Sequence, residues 1–349
     1  MSLYINLIDD TEIINSFNYA RNSDIVFSEI VTKQQYSNLR SDDTEIIEET
    51  KNTIFYVLKK IHVKENDIIF TNTYFIELLL SKLKDLEFKN LKIITTQTDH
   101  SINKKLFKKK PKTVSNWYST NVNYNNDNLH PIPLGLANNY SDKNLHKKDF
   151  ETINFNQNKI NKIYVNFEVN TNYFHRYKIK RNILKNSISK TPNKIITKHD
   201  YLLDLNNYKF ILCPWGNGID SHRIWESIFA GSIPLIPKHF SFEKIFNTNK
   251  NLFVNTKNLT EEYINKNFKN FKFNDELLTV AYWMKLIKKN DQKCSNSHSV
   301  LIKFPIMETK EIFLSIKRKE QKIKKFKTFL RKIHNKVINK KINYFKTYN

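Results

Sequence analysis

Arg223 and Glu226 stand three residues apart, just after a turn that carries Gly216, Asn217 and Gly218. On a helix that spacing sets a guanidinium and a carboxylate on one face. A turn without Cβ atoms bares its backbone N–H groups, and a helix N-terminus behind it adds the positive end of a dipole, so the two together suit a phosphate. Asp220 or Ser221 can cap that helix, and His222, beside Arg223, can reach a sugar or a phosphate, or simply pack. The chemistry within reach of this set is a fixed cation for a diphosphate and a carboxylate for paired ribose hydroxyls. A plainer reading stands beside it, with Arg223 and Glu226 as a surface ion pair and the glycines as a tight turn, because a lone Gly-x-Gly discriminates poorly. The chain keeps only four glycines, the other two being Gly135 and Gly231. That scarcity argues that each sits where a side chain is not tolerated.

Holding such a turn takes a strand before it and a helix after it. Residues 208–213 read as an apolar strand, 214–220 as the loop, 221–230 as the helix and 232–236 as the next strand. This is a βαβ unit whose loop lies where parallel sheets hold ligands. Upstream, 162–168 reads as a strand and 173–184 as a helix that carries Arg176 and Arg181. The first half shows strands at 24–28, 67–71 and 91–95, with a helix over 74–86 marked by Phe75, Leu78, Leu79, Leu83 and Leu86 at helical spacing. Further helices are expected at 260–267 and 274–289, and the polar stretch 138–161 reads as a linker. The pattern is α/β.

At 349 residues the chain is longer than one hydrophobic core usually grows, so two domains are expected. The net charge is +24, and from 315 to 349 thirteen Lys and Arg face one acid, Glu320, so this tail supplies half of the excess. Cys213 and Cys294 make no disulfide framework, and no Cys/His cluster has zinc-ligand spacing, which fits a reducing compartment. The start has no basic stretch followed by a long apolar run, and nothing approaches 18 uninterrupted apolar residues. The expectation is a cytoplasmic protein that does not span a membrane.

The segment Tyr208-Lys-Phe-Ile-Leu-Cys-Pro-Trp-Gly-Asn-Gly-Ile-Asp-Ser-His-Arg-Ile-Trp-Glu-Ser-Ile-Phe-Ala-Gly-Ser-Ile-Pro-Leu-Ile resembles the donor-binding block of exostosin-like glycosyltransferases. The shared pattern is a hydrophobic strand, Cys-Pro, a glycine turn, Arg with Glu three later, and Gly-x-Ile-Pro. Weaker similarity extends to Tyr164-Val-Asn-Phe with Asn170-Thr-Asn and Arg176 after it, and to His130-Pro-Ile-Pro-Leu-Gly-Leu. The resemblance implies a GT-B architecture, two Rossmann-like domains facing across a cleft, with the acceptor side at 1–145, the donor side at 160–300 and a basic helical tail at 301–349. It implies a hexosyltransferase-like enzyme of polysaccharide biosynthesis, inverting, using a nucleotide-sugar as co-substrate and no essential metal or other cofactor. Under it Arg223 meets the diphosphate and Glu226 the ribose. Gly216, Asn217, Gly218, Asp220, Ser221 and His222 line the turn, and Arg176 is a second diphosphate ligand. The absence of Asp-x-Asp disfavours the metal-bound donor site of the other common glycosyltransferase architecture. Animal exostosins carry a membrane anchor that this sequence lacks, so their acceptor does not carry over.

An inverting transfer needs a base for the acceptor hydroxyl. Asp99 and His100, just after the strand at 91–95, are candidates, and they read equally as caps of a helix over 101–107. Trp117, Tyr118 and Trp215 can stack on sugar or base, or form core. In the tail, Ile323, Phe326, Leu330, Ile333 and Val337 recur at spacings of three and four among Lys and Arg. That stripe suits either packing or an anionic lipid surface at the inner membrane face, where the run Lys104-Lys-Leu-Phe-Lys-Lys-Lys-Pro-Lys adds charge and a lipid-linked glycan acceptor would fit. Two rivals remain: a GDP-fucose-type GT-B transferase, and a basic nucleic-acid-binding protein. No recognisable nucleic-acid module supports the latter, so nucleic acid is not expected as a partner.

Overall fold

Two segments, Ile68–Asn72 and Leu91–Thr96, contain no exposed residue, as a strand covered on both faces requires. They are β5 and β6 of a seven-stranded sheet. The computed structural model describes residues 8–347 except 40, 193–195, 248, 270 and 290–297, with side chains beyond 336 left out, so Cys294 and the first seven residues lie outside the described residues.

In chain order the strands are β1 (Ile25–Thr32), β2 (Thr44–Glu49), β3 (Thr53–Leu58), β4 (Lys60–Lys64), β5, β6, β7 (Val114–Ser119) and β8 (Leu129–Pro131), then β9 (Ile160–Tyr164), β10 (Ser189–Lys190), β11 (Tyr208–Leu212), β12 (Ile233–Leu235) and β13 (Ser299–Lys303). The first sheet runs β2-β3-β1-β5-β6-β7-β8, parallel from β1 to β8 and extended at one edge by the antiparallel pairs β1/β3 and β3/β2. The second sheet is parallel throughout, in the order β10-β9-β11-β12. β13 pairs with β4 in a two-stranded ribbon.

Twelve α-helices occur among the described residues: α1 (Ser16–Arg21), α2 (Lys33–Leu39), α3 (Ile76–Leu83), α4 (Lys104–Phe107), α5 (Lys147–Phe150), α6 (Tyr173–Ile183), α7 (Lys198–Asn207), α8 (His222–Phe229), α9 (Phe240–Ile245), α10 (Glu261–Phe268), α11 (Val280–Lys288) and α12 (Ile306–Thr347). The expected βαβ unit is present as β11, α8 and β12. Phe210, Ile211 and Leu212 are fully buried in β11, and α8 turns Ile224, Trp225, Ile228 and Phe229 inward. Gly231 follows α8 in the left-handed region, at φ +71°. Gly135 is also left-handed, and a Cβ there would lie 1.9 Å from the Ile14 carbonyl oxygen.

Met1–Lys303 makes one compact unit and Phe304–Asn349 a second. Within the first, one buried apolar cluster runs from Phe70 and Ile94 of the first sheet to Phe210, Ile211 and Leu235 of the second. The stretch expected to be a linker contributes Leu145 and Phe150 to that cluster. No helix among the described residues is long and apolar enough to cross a membrane.

Candidate functional site

The second sheet reverses its winding between β9 and β11: the chain goes from β9 outward to β10, then returns past β9 to lay down β11 and β12. Loops leaving the carboxyl ends of two such neighbours diverge and leave a crevice, the usual ligand position in an open parallel sheet. The loop after β9 leads to a short 3-10 turn, Val169–Asn172, and then to α6, while the loop after β11 is the glycine turn that leads to α8. Arg176 on α6 and Arg223 on α8 thereby flank the same crevice, and the charge on Arg223 disfavours ionisation of Arg176.

The two guanidinium groups have different surroundings. Arg176 is buried and donates from Nε to the Trp215 carbonyl at 2.8 Å, from Nη1 to the Glu168 carbonyl at 2.8 Å and from Nη2 to the Pro214 carbonyl at 3.2 Å. It fastens the β9 loop to the β11 loop. Burial, and then Arg223, push its pKa down to about 10, which still leaves it charged at neutral pH. Arg223 is half-buried, donates from Nη1 to the Tyr201 hydroxyl at 3.1 Å and lies 5.1 Å from the centre of the Tyr201 ring. Burial opposes its charge, but Tyr201, Cys213 and Glu226 outweigh that and raise its pKa. Neither arginine forms an ion pair within 4.0 Å among the described residues.

Glu226 does share a face with Arg223, but it points inward. It is 4% exposed and accepts the Tyr201 hydroxyl at 2.9 Å and the Leu145 N–H at 3.3 Å. Arg223, Tyr201 and Glu226 therefore form a hydrogen-bonded chain and not the surface pair of the plainer reading. Asp220 is likewise buried. Its carboxylate accepts the Leu134 N–H at 2.9 Å, the Ser221 N–H at 2.7 Å and the Trp225 indole N–H at 3.0 Å, and burial pushes its pKa up to about 7. These bonds make Asp220 a brace between the loop after β8 and α8. Ser221 is the N-cap residue of α8, yet its hydroxyl makes no capping bond. His222 bonds through Nδ1 to the Gly135 carbonyl oxygen at 2.9 Å.

The glycine turn is approached by protein side chains. Asn121, just beyond β7, accepts the N–H groups of Ile219 at 2.8 Å and Asp220 at 3.1 Å on its Oδ1. A Cβ on Gly218 would lie 2.7 Å from that oxygen, and one on Gly216 would lie 3.3 Å from Nη2 of Arg176. Asn121 also donates to the Thr98 carbonyl at 3.0 Å. That bond ties the turn to the loop carrying Asp99 and His100, both exposed. Neither caps α4, whose N-cap is Asn103, and the His100 ring packs edge-on against Tyr74 at 5.2 Å.

Four buried polar atoms beside the turn have no hydrogen-bond partner among the described residues: Thr171 Oγ1, His175 Nε2, Trp215 Nε1 and Ser221 Oγ. The His175 and Trp215 rings are stacked at 4.9 Å and 13°. Burial, then Arg176 and Lys178, lower the His175 pKa, so the ring is neutral at neutral pH. Buried polar groups without partners are uncommon, and four around one turn mark a place suited to an outside ligand. Cys213, directly after β11, has its pKa pushed up to about 12 by burial and is an inert thiol. Of these residues, Asn121 and Tyr201 carried no motif that would have found them. Comparison with family models and with curated proteins finds no match to this chain.

Proposed function

We propose that the protein is a glycosyltransferase that takes a sugar from a nucleotide-sugar donor, with the donor diphosphate on Arg176 and Arg223. The observation that carries this reading is that the switch point of the second sheet is flanked by two arginines without a carboxylate ion-pair partner among the described residues: Arg176, on the helix after β9 and bonded to the loop after β11, and Arg223, on the helix that this loop leads into. A diphosphate is the group whose charge and bidentate geometry such a pair matches. The resemblance of residues 208–236 to the exostosin-like donor block supports the same assignment, and so do the buried polar atoms of Thr171, His175, Trp215 and Ser221 that have no partner among the described residues.

In this reading an acceptor hydroxyl attacks the anomeric carbon as the bond to the diphosphate oxygen breaks, inverting that centre. The acceptor proton passes to Asp99 or His100, on the loop that Asn121 tethers to the glycine turn. Negative charge grows on the leaving diphosphate, where Arg223, with one hydrogen bond to Tyr201, has donors to offer. Arg176 holds the two loops together and adds a second fixed positive charge. Glu226 orients Arg223 through Tyr201, a positioning role in place of the ribose contact expected from the resemblance. The two sheets acting as facing GT-B domains, with the acceptor on the first, belong to the same proposal.

The test is turnover of UDP-, GDP-, dTDP- and CMP-sugars, followed as nucleotide release with and without added glycan acceptors, in the presence of EDTA. Release from one of the nucleoside-diphosphate donors and not from the CMP-sugars, persisting in chelator and falling in Arg223→Ala, is expected. Release that needs manganese, or no release from any donor, would contradict the assignment.

A further inference from the structure

The helix α12 runs for 42 residues, about 63 Å at the usual rise per residue. Its middle carries large apolar side chains in water: Ile323 is 54% exposed, Phe326 60%, Phe329 57% and Ile333 44%. At about 100° per residue, Ile323, Phe326, Leu330 and Ile333 fall within an arc of about 80°, and Phe329 widens it to about 120°. Around this arc stand exposed Lys324, Lys325, Lys327, Lys332 and Lys336, with Lys319 and Lys322 at its N-terminal end. Between Lys317 and Lys336 there are ten Lys and Arg and one acid, Glu320. Lys324, Lys325 and Lys332 line a shallow depression with Phe329.

We infer that α12 is a docking surface for an anionic membrane, lying in the headgroup plane with the Ile323–Phe326–Leu330–Ile333 stripe inserted and the lysines on lipid phosphates. Charge complementarity selects this occupant. An exposed apolar stripe flanked by cations matches a surface that offers hydrocarbon beneath a layer of negative charge. A nucleic acid would neutralise the lysines and leave the stripe in water. The helix does not cross the membrane, being too polar for that. This inference is independent of the donor-site reading and stands or falls separately from it.

The experiment is flotation of the full chain with vesicles of phosphatidylcholine alone and of phosphatidylcholine with phosphatidylserine. Recovery with the anionic vesicles only, and its decline as salt is raised, is expected. Phe326→Ser with Ile333→Ser should weaken binding about tenfold or more, and Lys324→Glu with Lys325→Glu by a similar factor. All four positions are exposed, so the variants should keep the wild-type circular dichroism spectrum. Equal recovery of the serine variant and the wild type, or retention on duplex DNA with no flotation on anionic vesicles, would overturn the inference.

Discussion

Among the described residues the Arg223 guanidinium makes one hydrogen bond and that of Arg176 three, and this difference separates their roles. Arg223→Ala should lower kcat about a hundredfold, the scale of losing one transition-state donor. The protein should still fold, because Tyr201 continues to donate to Glu226. Glu226→Gln has a different expected signature. The amide keeps an acceptor for Leu145, and the Tyr201 oxygen can receive its N–H, so the fold loses about 1 kcal/mol. The negative charge beside Arg223 is lost, however, and weaker control of the guanidinium should appear as reduced kcat with little change in KM. A Glu226→Gln variant that raised KM for the donor at unchanged kcat would return the residue to the ribose. Asp220 supplies a pH test. Its folded-state pKa of about 7 lies above the ordinary 3.8, so folding takes up a proton in that window. Its contribution is fully present below about pH 4 and is lost as the pH rises through about 7. Glu29, raised to about 7 by burial despite Arg21, acts in the same direction. Between about pH 5 and about pH 8 the melting temperature of Asp220→Asn should therefore fall less than that of the wild type. An unchanged fall would remove Asp220 from the account.

At the scale of elements, the glycine turn is held by what approaches it. Gly218→Ala places a methyl group 2.7 Å from Asn121 Oδ1 and should displace that side chain from the Ile219 and Asp220 N–H groups, at a cost of about 1–3 kcal/mol. In Asn121→Ala the obstacle is gone, so a double-mutant cycle should show coupling of about 1 kcal/mol, measured by denaturant unfolding. Additive effects would mean that Asn121 does not support the turn. The unit β11-α8-β12 was legible because its strand ends in an apolar run, residues 210–213, and its helix is bounded by cap candidates, Asp220 or Ser221 at the start and Gly231 at the end. The helix α6, with Arg176, was legible to within one residue. The helix α7 was not, although Thr197 and Asp200 form a capping box at its start. Its leucines, 202, 203 and 205, are bunched and not spaced at helical intervals, and only Leu202 and Leu205 are buried, so they make no periodic face. The antiparallel hairpin β2-β3 escaped for a related reason. The burial of β2 is only intermediate, and acidic residues 45, 48 and 49 mask its strand character.

For the whole molecule, one sequence could place Arg223 and Glu226 on a common face but could not tell inside from outside. Which way Glu226 points depends on Tyr201, 25 residues earlier, and on Leu145, 81 residues earlier, and no local pattern reports contacts at that range. The expectation of a polar linker met the same limit, since Phe150 is buried by Phe229, which lies far along the chain. What charge composition did report was the basic tail, because charge excess needs no knowledge of contacts. In the proposed function the switch point between β9 and β11 binds the diphosphate of a nucleotide-sugar. Isothermal titration of the full chain with UDP, GDP and dTDP, and with CMP as a monophosphate control, in EDTA, measures that binding. A nucleoside diphosphate should bind the wild type and bind Arg223→Ala at least about tenfold more weakly, a loss of about 1.4 kcal/mol. Equal affinity for the two proteins, or no binding of any nucleotide to the wild type, would contradict that proposal.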